Sequence, residues 1–299
     1  MKKTILQGSK IGVVTPSSSV ETPEQIRNGL KYLAELGYEL KLGKFVFDDK
    51  NHFSGTPQQR AEDIMDFFIN PDIAAIISTA GGYGSQSVLP YLDYEVIKQN
   101  PKPIIGFSDI TALQNAVFTC ANVSSIAGIM LKFDFENGEN SQTKHSFENI
   151  LSGCFEEIKS GNILNKGVAR GVLVGGNFCT FMSLSGTKYF PPLKDKILLF
   201  EDVDEKSYRI ERMLTQLEQQ KDFNEVSGII FGNFRNCELN HVKDKDINDV
   251  LKDFSERHKN IVMIKDFMHG HIKARYCLPI GKTVQLFSDA EQPILKLTE

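Results

Sequence analysis

Residues 73–113, IAAIISTAGGYGSQSVLPYLDYEVIKQNPKPIIGFSDITAL, decide the fold of this chain. Two short apolar runs, at 73–78 and 103–106, each lead through a turn that contains glycine into a stretch with helical spacing. Short strands that alternate with helices form a parallel sheet covered by helices on both faces. The functional loops of such a sheet lie at the carboxyl ends of its strands. We therefore predict an α/β domain whose site includes these two turns.

The same alternation is already present near the start of the chain. Residues 11–14 have the pattern of a buried strand. Thr22 and Gln25 predict a capping box at the start of one helix, and Thr56 and Gln59 repeat it at the start of the next. The first half of the chain therefore reads as strands and helices in strict alternation.

The second half of the chain predicts a separate domain. The pattern weakens over residues 136–166, which contain turn-forming residues, and we place the domain junction there. The predicted organisation is an N-terminal α/β domain over residues 1–150, a linker over 151–170 and a C-terminal domain over 171–299. Strands of the second domain are predicted at 172–174, 197–200, 228–231 and 261–264.

The composition excludes several classes of protein. Of the 299 residues, 41% are hydrophobic and 24% are charged, which is typical of a folded protein and not of a disordered one. A net charge of −4 argues against binding to nucleic acid or to an anionic membrane. The first eight residues lack the apolar core of a secretory signal, and no stretch has the length and apolarity of a membrane span. Five scattered cysteines are interpreted as buried thiols in a reducing compartment, so we expect a cytoplasmic protein.

Ser108 is the strongest candidate for a reactive side chain. It follows a predicted strand and Gly106, stands at the apex of a turn and precedes a helix, so its hydroxyl lies near the positive end of that helix. This arrangement is similar to a nucleophile elbow, although Ile110 stands where such elbows carry a second glycine. The alternative is that Ser108 only caps the helix, with Asp109 in its first turn.

A serine nucleophile needs a base, and that base needs a carboxylate that orients it. Four of the six histidines lie in polar segments, which leaves His269 and His271, shortly after the last predicted strand. The pair also suggests a metal site, but no third ligand with a metal-binding spacing accompanies it, so we predict no metal. Glu201, where an apolar strand meets a loop, is the candidate carboxylate, and a mere strand end is the alternative.

The loop Gly81-Gly82-Tyr83-Gly84 has two interpretations. A glycine-rich turn after a strand can bind phosphate through its N–H groups, but the spaced glycines and the lysine of nucleotide-binding loops are missing here. In a hydrolase the same N–H groups would form an oxyanion hole, in which one donor typically lowers the barrier by ~3–4 kcal/mol.

In this order, the motifs resemble those of the LD-carboxypeptidases, a family of serine peptidases (family S66) that includes the microcin C immunity hydrolases. The resemblance runs from Ile11 to about Thr283. The matching motifs are Gly81-Gly82-Tyr83-Gly84, Gly106-Phe107-Ser108-Asp109-Ile110-Thr111, Gly175-Gly176-Asn177, Glu201-Asp202-Val203, and His269-Gly270 followed by Leu278-Pro279-Ile280-Gly281.

The resemblance implies a catalytic triad of Ser108, Glu201 and His269, with an oxyanion hole formed by the backbone amides of Asp109 and Gly82. It also implies a flavodoxin-like parallel-sheet N-terminal domain and a smaller, mostly β C-terminal domain, commonly as a homodimer. Ser108 would come from the first domain and its two partners from the second, which places the site at the domain interface. No metal or organic cofactor is implied.

The substrate implied by the resemblance is a murein tetrapeptide, cut before its terminal D-Ala during peptidoglycan recycling.

In departure from the family pattern, Ala80 stands where many members have arginine, and Met268 precedes His269 where glycine is usual, which keeps His271 as a second candidate. Microcin-type members resemble this chain too, but they recognise an aminoacyl nucleotide with a longer loop that carries tryptophan, and this chain has none. The alternatives are a related hydrolase of aminoacyl nucleotides and a non-catalytic small-molecule binding protein.

Overall fold

The computed structural model describes residues 5–48, 51–135, 141–154, 157–239, 241–289 and 291–298. Within these residues the chain forms two β-sheets that are accompanied by helices. Of the predicted junction over residues 136–166, residues 136–140 and 155–156 lie outside the described part.

The first sheet is formed mainly by the first half of the chain. It contains β1 (Lys10–Val14), β2 (Glu39–Leu42), β3 (Ile73–Ser78), β4 (Ile104–Gly106), β5 (Ser125–Ala127) and the late strand β12 (Leu278–Ile280). Its helices are α1 (Glu24–Glu35), α2 (Pro57–Ile69), α3 (Tyr94–Gln99), α4 (Ile110–Ala121) and α5 (Ser141–Leu151), with a 3-10 helix at Ser85–Tyr91. The order β2-β1-β3-β4-β5, in which all neighbours are parallel, confirms the predicted flavodoxin-like sheet.

The second sheet is mixed. It contains β6 (Ile158–Lys159), β7 (Asn162–Asn165), β8 (Val168–Asn177), β9 (Lys196–Val203), β10 (Gly228–Arg235), β11 (Val262–Lys265), β13 (Thr283–Phe287) and β14 (Ile294–Leu297). The helices are α6 (Phe178–Met182), α7 (Ser207–Glu218) and α8 (Ile247–Arg257), with a 3-10 helix at Phe223–Glu225. The neighbours from β8 to β11 are parallel and the outer strands pair antiparallel, which agrees with the prediction of a mostly β C-terminal region.

The segment predicted as a linker, residues 151–170, differs from the prediction. It contains β6, β7 and the first residues of β8, all of which belong to the second sheet. β6 has two residues and β7 has four, and Gly161 and Gly167 follow them with positive φ angles. Strands this short carry no detectable period, so glycine-rich turns dominated the pattern. Conversely, β12 returns to the first sheet, where it pairs antiparallel with β5.

Apolar side chains cover both faces of the first sheet. Ile76 of β3 packs in a cluster with Phe68 of α2, whereas its neighbour Ile77 packs on the other face with Ile26 of α1. Successive side chains of a strand point to opposite faces, so a strand covered on both faces reads as a continuous apolar run. This arrangement explains why the sequence of β3 was so informative.

Two further expectations concern the cysteines and the membrane. All five cysteines lie in the described part and are unpaired; Cys237 and Cys277 are buried as predicted, but Cys154 and Cys179 are exposed. Among the described residues, no helix has both the length and the apolar character needed to cross a bilayer.

The two predicted capping boxes have different outcomes. At α2, the Thr56 hydroxyl accepts from the Gln59 amide at 3.2 Å, and the Gln59 side chain accepts from the Thr56 amide at 2.9 Å. At α1, however, Pro23 is the N-cap and no side chain caps it, while the Gln25 side chain accepts from the Glu21 amide at 2.9 Å. The box at Thr56 is therefore confirmed, and the box at Thr22 is not formed.

We predict that Thr56→Ala lowers the free energy of unfolding by ~1 kcal/mol, because the Gln59 amide loses its acceptor. Thr22→Ala is the matched control and should lower it far less, since Thr22 caps no helix. Urea unfolding followed by circular dichroism measures both values. Equal losses in the two variants would contradict the different roles of these threonines.

Candidate active site

Ser108 lies in the turn between β4 and α4. Its φ angle is +62°, in the left-handed region that residues other than glycine rarely adopt. A Cβ atom on Gly106 would lie 2.7 Å from the Ser78 hydroxyl and 2.9 Å from a methyl group of Ile110, so glycine is required for this packing. The predicted strand–turn–helix setting is present, and Ile110 occupies the place of the second elbow glycine by packing against the first.

The buried carboxylate of Asp109 ties together the loops around this turn. Its Oδ2 accepts from the Ser17 hydroxyl at 2.5 Å and from the Ser85 amide at 2.8 Å. The Asp109 carbonyl also accepts from the Ser85 hydroxyl at 2.6 Å. Ser17 follows β1 and Ser85 follows β3, so Asp109 joins the carboxyl ends of three neighbouring strands.

The loop at Gly81 passes directly beside Ser108. A Cβ atom on Gly81 would lie 3.1 Å from Ser108 Cβ and 3.2 Å from its Oγ. The next residue, Gly82, is exposed and has a φ angle of +93°. Within the described part of the chain, the amides of Gly82 and Asp109 donate no hydrogen bond to a protein acceptor. One of these amides belongs to the residue after Ser108, and the other to the residue after Gly81, which lies against Ser108.

His271 connects Ser108 to Glu201. Its Nε2 lies 3.0 Å from Ser108 Oγ, and its Nδ1 lies 2.7 Å from Glu201 Oε2. Glu201, on the central strand β9, is fully buried, whereas the His271 side chain keeps 19% of its exposure. A strand of the second sheet therefore supplies the buried carboxylate, and the loop after β11 supplies the histidine, to a serine in the turn after β4 of the first sheet.

The assignment of His269 as the partner of Ser108 is wrong. The His269 ring is buried, and its Nδ1 lies 2.8 Å from the carbonyl of Tyr276. Gly270 has a φ angle of +126°, and a Cβ atom there would lie 2.9 Å from Glu201 Oε2, so only glycine lets the chain turn this close to the carboxylate. This turn directs His269 into the core and His271 into the site.

The sequence contains a signal for the histidine that contacts Ser108. The family pattern has a glycine before its histidine, and Met268 fails this requirement for His269. Gly270 meets it for His271. The glycine of the family pattern therefore favours His271 over His269.

Asn177 and Asp202 were not predicted as site residues, although both lie in matched motifs. The side-chain amide of Asn177 donates from Nδ2 to Asp202 Oδ1 at 3.0 Å, and Nδ2 lies 3.4 Å from Glu201 Oε1. Asp202 also accepts from the amides of Val203 and Cys179, both at 2.9 Å. Burial raises the pKa of Asp202 to about 7, and the charge of Glu201 adds to this effect. Asn177 therefore contacts both the Glu201 carboxylate and the buried Asp202 carboxyl group, which resists ionisation.

The described residues offer no arrangement for a metal ion. No three side chains of His, Cys, Asp or Glu among them are placed so that they could hold one. His269 and His271 point in different directions, one to a backbone carbonyl and the other to Ser108 and Glu201.

Known proteins are similar to this chain in sequence and in fold. The LD-carboxypeptidase N-terminal domain matches residues 11–128, and the LD-carboxypeptidase C-terminal domain matches residues 170–286. The chain is 30% identical to a probable murein peptide carboxypeptidase of Bacillus subtilis over 93% of this chain and 89% of that protein. It is also 30% identical to the microcin C7 self-immunity protein MccF of Escherichia coli, over 98% and 94% of the two chains. The muramoyltetrapeptide carboxypeptidase from Oxalobacter formigenes has the same fold, with a TM-score of 0.89 at 25% identity, and the match covers 97% of this chain and 99% of that one.

The buried ring of His269 predicts a pH dependence of stability. Burial lowers its pKa to about 4, so the folded protein keeps the ring neutral. Because this pKa lies below the usual value of about 6.5, the stabilisation is complete above pH 6.5 and is lost as the pH falls through 4, by up to about 3 kcal/mol. An asparagine can still donate to the Tyr276 carbonyl but does not titrate.

We therefore expect His269→Asn to lose less unfolding free energy than the wild type between pH 7 and pH 4.5, as measured by urea unfolding at both values. The exposed residue His145 offers the matched control, and His145→Asn should keep the wild-type dependence. A His269→Asn protein with an unchanged dependence would contradict a neutral, buried ring.

Proposed function

Since this chain belongs to the LD-carboxypeptidase family, we propose that it is a serine carboxypeptidase that removes terminal D-Ala from murein tetrapeptides. The observation that carries the proposal is the hydrogen-bonded chain Ser108–His271–Glu201 between the two sheets. The relatives named as murein peptide and muramoyltetrapeptide carboxypeptidases support this class of substrate.

In the proposed reaction, Ser108 Oγ attacks the carbonyl carbon of the bond before D-Ala. His271 Nε2 accepts the serine proton and then donates it to the amine of the departing D-Ala. His271 next deprotonates a water molecule, which hydrolyses the acyl-enzyme ester and restores Ser108. Glu201 orients the ring through Nδ1 and stabilises the imidazolium, and its complete burial strengthens this interaction.

The negative charge on the carbonyl oxygen would be stabilised by the amides of Gly82 and Asp109. Gly81 supports this placement because it contacts Ser108 and sets the approach of the loop. The amide of Asp109, the N-cap residue of α4, lies at the positive end of that helix. Each donor typically lowers the barrier by ~3–4 kcal/mol.

A second candidate function is the hydrolysis of an aminoacyl nucleotide. The similarity to MccF favours it, and the same three side chains would serve either amide. The absence of tryptophan from the chain favours the murein peptide, because the microcin-type loop uses that residue. The cytoplasmic location stays a prediction from the N-terminal sequence and the cysteines, and the homodimer stays a prediction of the family resemblance, which light scattering would test.

We predict that Ser108→Ala abolishes D-Ala release and that His271→Ala lowers kcat by ~10⁴-fold or more, because the serine loses its base. His269→Asn should keep most of the activity, since Nδ1 of that ring lies against the Tyr276 carbonyl, whereas Ser108 and Glu201 contact His271. Steady-state kinetics on a murein tetrapeptide measures these effects, and circular dichroism checks the fold. An inactive His269→Asn protein beside an active His271→Ala protein would refute the assignment.

The enzyme should also require a free carboxylate on D-Ala, because a carboxypeptidase must match that buried anion with donors. We expect the tetrapeptide to be cleaved at least ~10²-fold faster than its C-terminal amide or its L-Ala epimer. An aminoacyl nucleotide analogue and a fluorophosphonate probe complete the panel. Preferred cleavage of the analogue would select the second function, and absence of labelling at Ser108 would indicate a non-catalytic binder.

A further inference from the structure

The loop that carries His271, residues 266–277, leaves the second sheet after β11 and enters the first sheet as β12. His271 therefore lies between the last parallel strand of the second sheet and the strand that returns to the first sheet. Its distance to Ser108 depends on what fastens this loop to the first half.

A buried ion pair provides one such attachment. Arg275 Nη2 pairs with Asp134 Oδ1, and the two side chains retain only 5% and 10% of their exposure. The guanidinium also donates from Nε to the Gly128 carbonyl at 2.7 Å and from Nη1 to the Ile272 carbonyl at 2.9 Å. Asp134 Oδ2 in turn accepts from the Met130 amide at 2.8 Å. The Arg275 side chain thus joins Ile272, the residue after His271, to the loop that follows β5.

Phe107 connects this ion pair to the histidine ring. The Arg275 guanidinium lies 4.3 Å from the centre of the Phe107 ring. The centre of the same ring lies 4.7 Å from that of His271. Phe107 is buried and directly precedes Ser108, so its position is coupled to that of the nucleophile. Arg275, Phe107 and His271 therefore form a continuous contact from the ion pair to the base.

Helix α5 holds the same loop independently. The Thr143 hydroxyl donates to the Lys273 carbonyl at 3.0 Å and accepts from the Arg275 amide at 3.0 Å. The Ser146 hydroxyl accepts from the Cys277 amide at 2.9 Å. These contacts keep the loop attached when the ion pair is altered, so that its position can change without loss of the fold.

A buried ion pair usually adds little net stability over an apolar pair of similar shape, because both charges must leave water. Burial raises the pKa of Asp134, which shows this cost, although Arg275 opposes the shift. The directional hydrogen bonds of a guanidinium do fix geometry. The value of this pair therefore lies in position more than in stability.

We propose that Asp134 and Arg275 are positioning residues that hold His271 within hydrogen-bond distance of Ser108. The first half of the chain thereby sets the geometry of a base that the second half supplies. This inference rests on the proposed function, because it assigns the pair a role in the activity of Ser108.

The test compares Arg275→Met, Arg275→Lys and Asp134→Asn with the wild type. Misplacement of a catalytic group by about 1 Å costs ~10²-fold in rate. We expect Arg275→Met and Asp134→Asn to lower kcat for D-Ala release by ~10–100-fold with KM within about two-fold, and Arg275→Lys to recover part of the loss. The rate of Ser108 labelling by a fluorophosphonate should fall in parallel, since it reports the base without the peptide.

Glu218→Gln is the matched control. Glu218 ends α7 and His258 directly follows α8, and a Glu218 carboxylate oxygen lies 2.8 Å from His258 Nε2. The variant therefore alters a different partly buried contact. This variant should change stability and leave kcat and the labelling rate unchanged. If Arg275→Met does not fold, Arg275→Lys and Asp134→Asn provide the same comparison.

A histidine NMR signal separates the inference from the proposed function. In protein labelled at histidine Cε1, the His271 resonance, identified by its loss in His271→Ala, should shift in the Asp134 and Arg275 variants and not in Glu218→Gln. An unchanged resonance together with wild-type kcat would overturn the positioning role. A wild-type protein that neither releases D-Ala nor labels at Ser108 would instead overturn the proposed function, and the resonance would still decide the position of His271.

Discussion

The close approach of the main chain at Gly270 to the carboxylate of Glu201 is the contact on which the site depends. Glu201 is fully buried on a central strand of the second sheet, so its carboxylate cannot move toward a partner. The histidine has to come to it, and a side chain at position 270 would block that approach. Once the chain has turned there, His271 reaches the carboxylate with one nitrogen and Ser108 with the other.

The two sheets meet through buried polar groups as well as through apolar packing. Asn115 of α4 donates to the Gly175 carbonyl at 2.9 Å and accepts from the Gly175 amide at 3.0 Å. Thr111, one turn after Ser108, accepts from the Asn177 amide at 2.9 Å. Hydrogen bonds are directional, so these contacts restrict sliding in a way that apolar contacts alone do not. The helix that begins beside Ser108 is thereby registered against the strand that leads to Asn177.

The sequence predicted those parts whose signals are local. The strand β3, the capping box at Thr56 and the turn at Ser108 each depend on residues that are close together in the sequence. Strands of two to four residues, such as β6 and β12, are determined by partners far away in the chain, and no period reveals them. The choice between His269 and His271 has a local sign, the glycine at position 270, but its physical cause is a contact with Glu201 far away in the chain. It depends on a positive φ angle at Gly270, which glycine permits but does not require.

The strand β12 has a consequence for the independence of the two halves. It covers the edge of the first sheet at β5, where unpaired N–H and C=O groups would otherwise be open to another chain. A fragment that ends near residue 150 would lack this cover, and its exposed β5 edge could pair with other chains and promote aggregation. The two halves are consequently not interchangeable modules: recombination that joins the first half to a foreign second half must also supply a strand that seals β5.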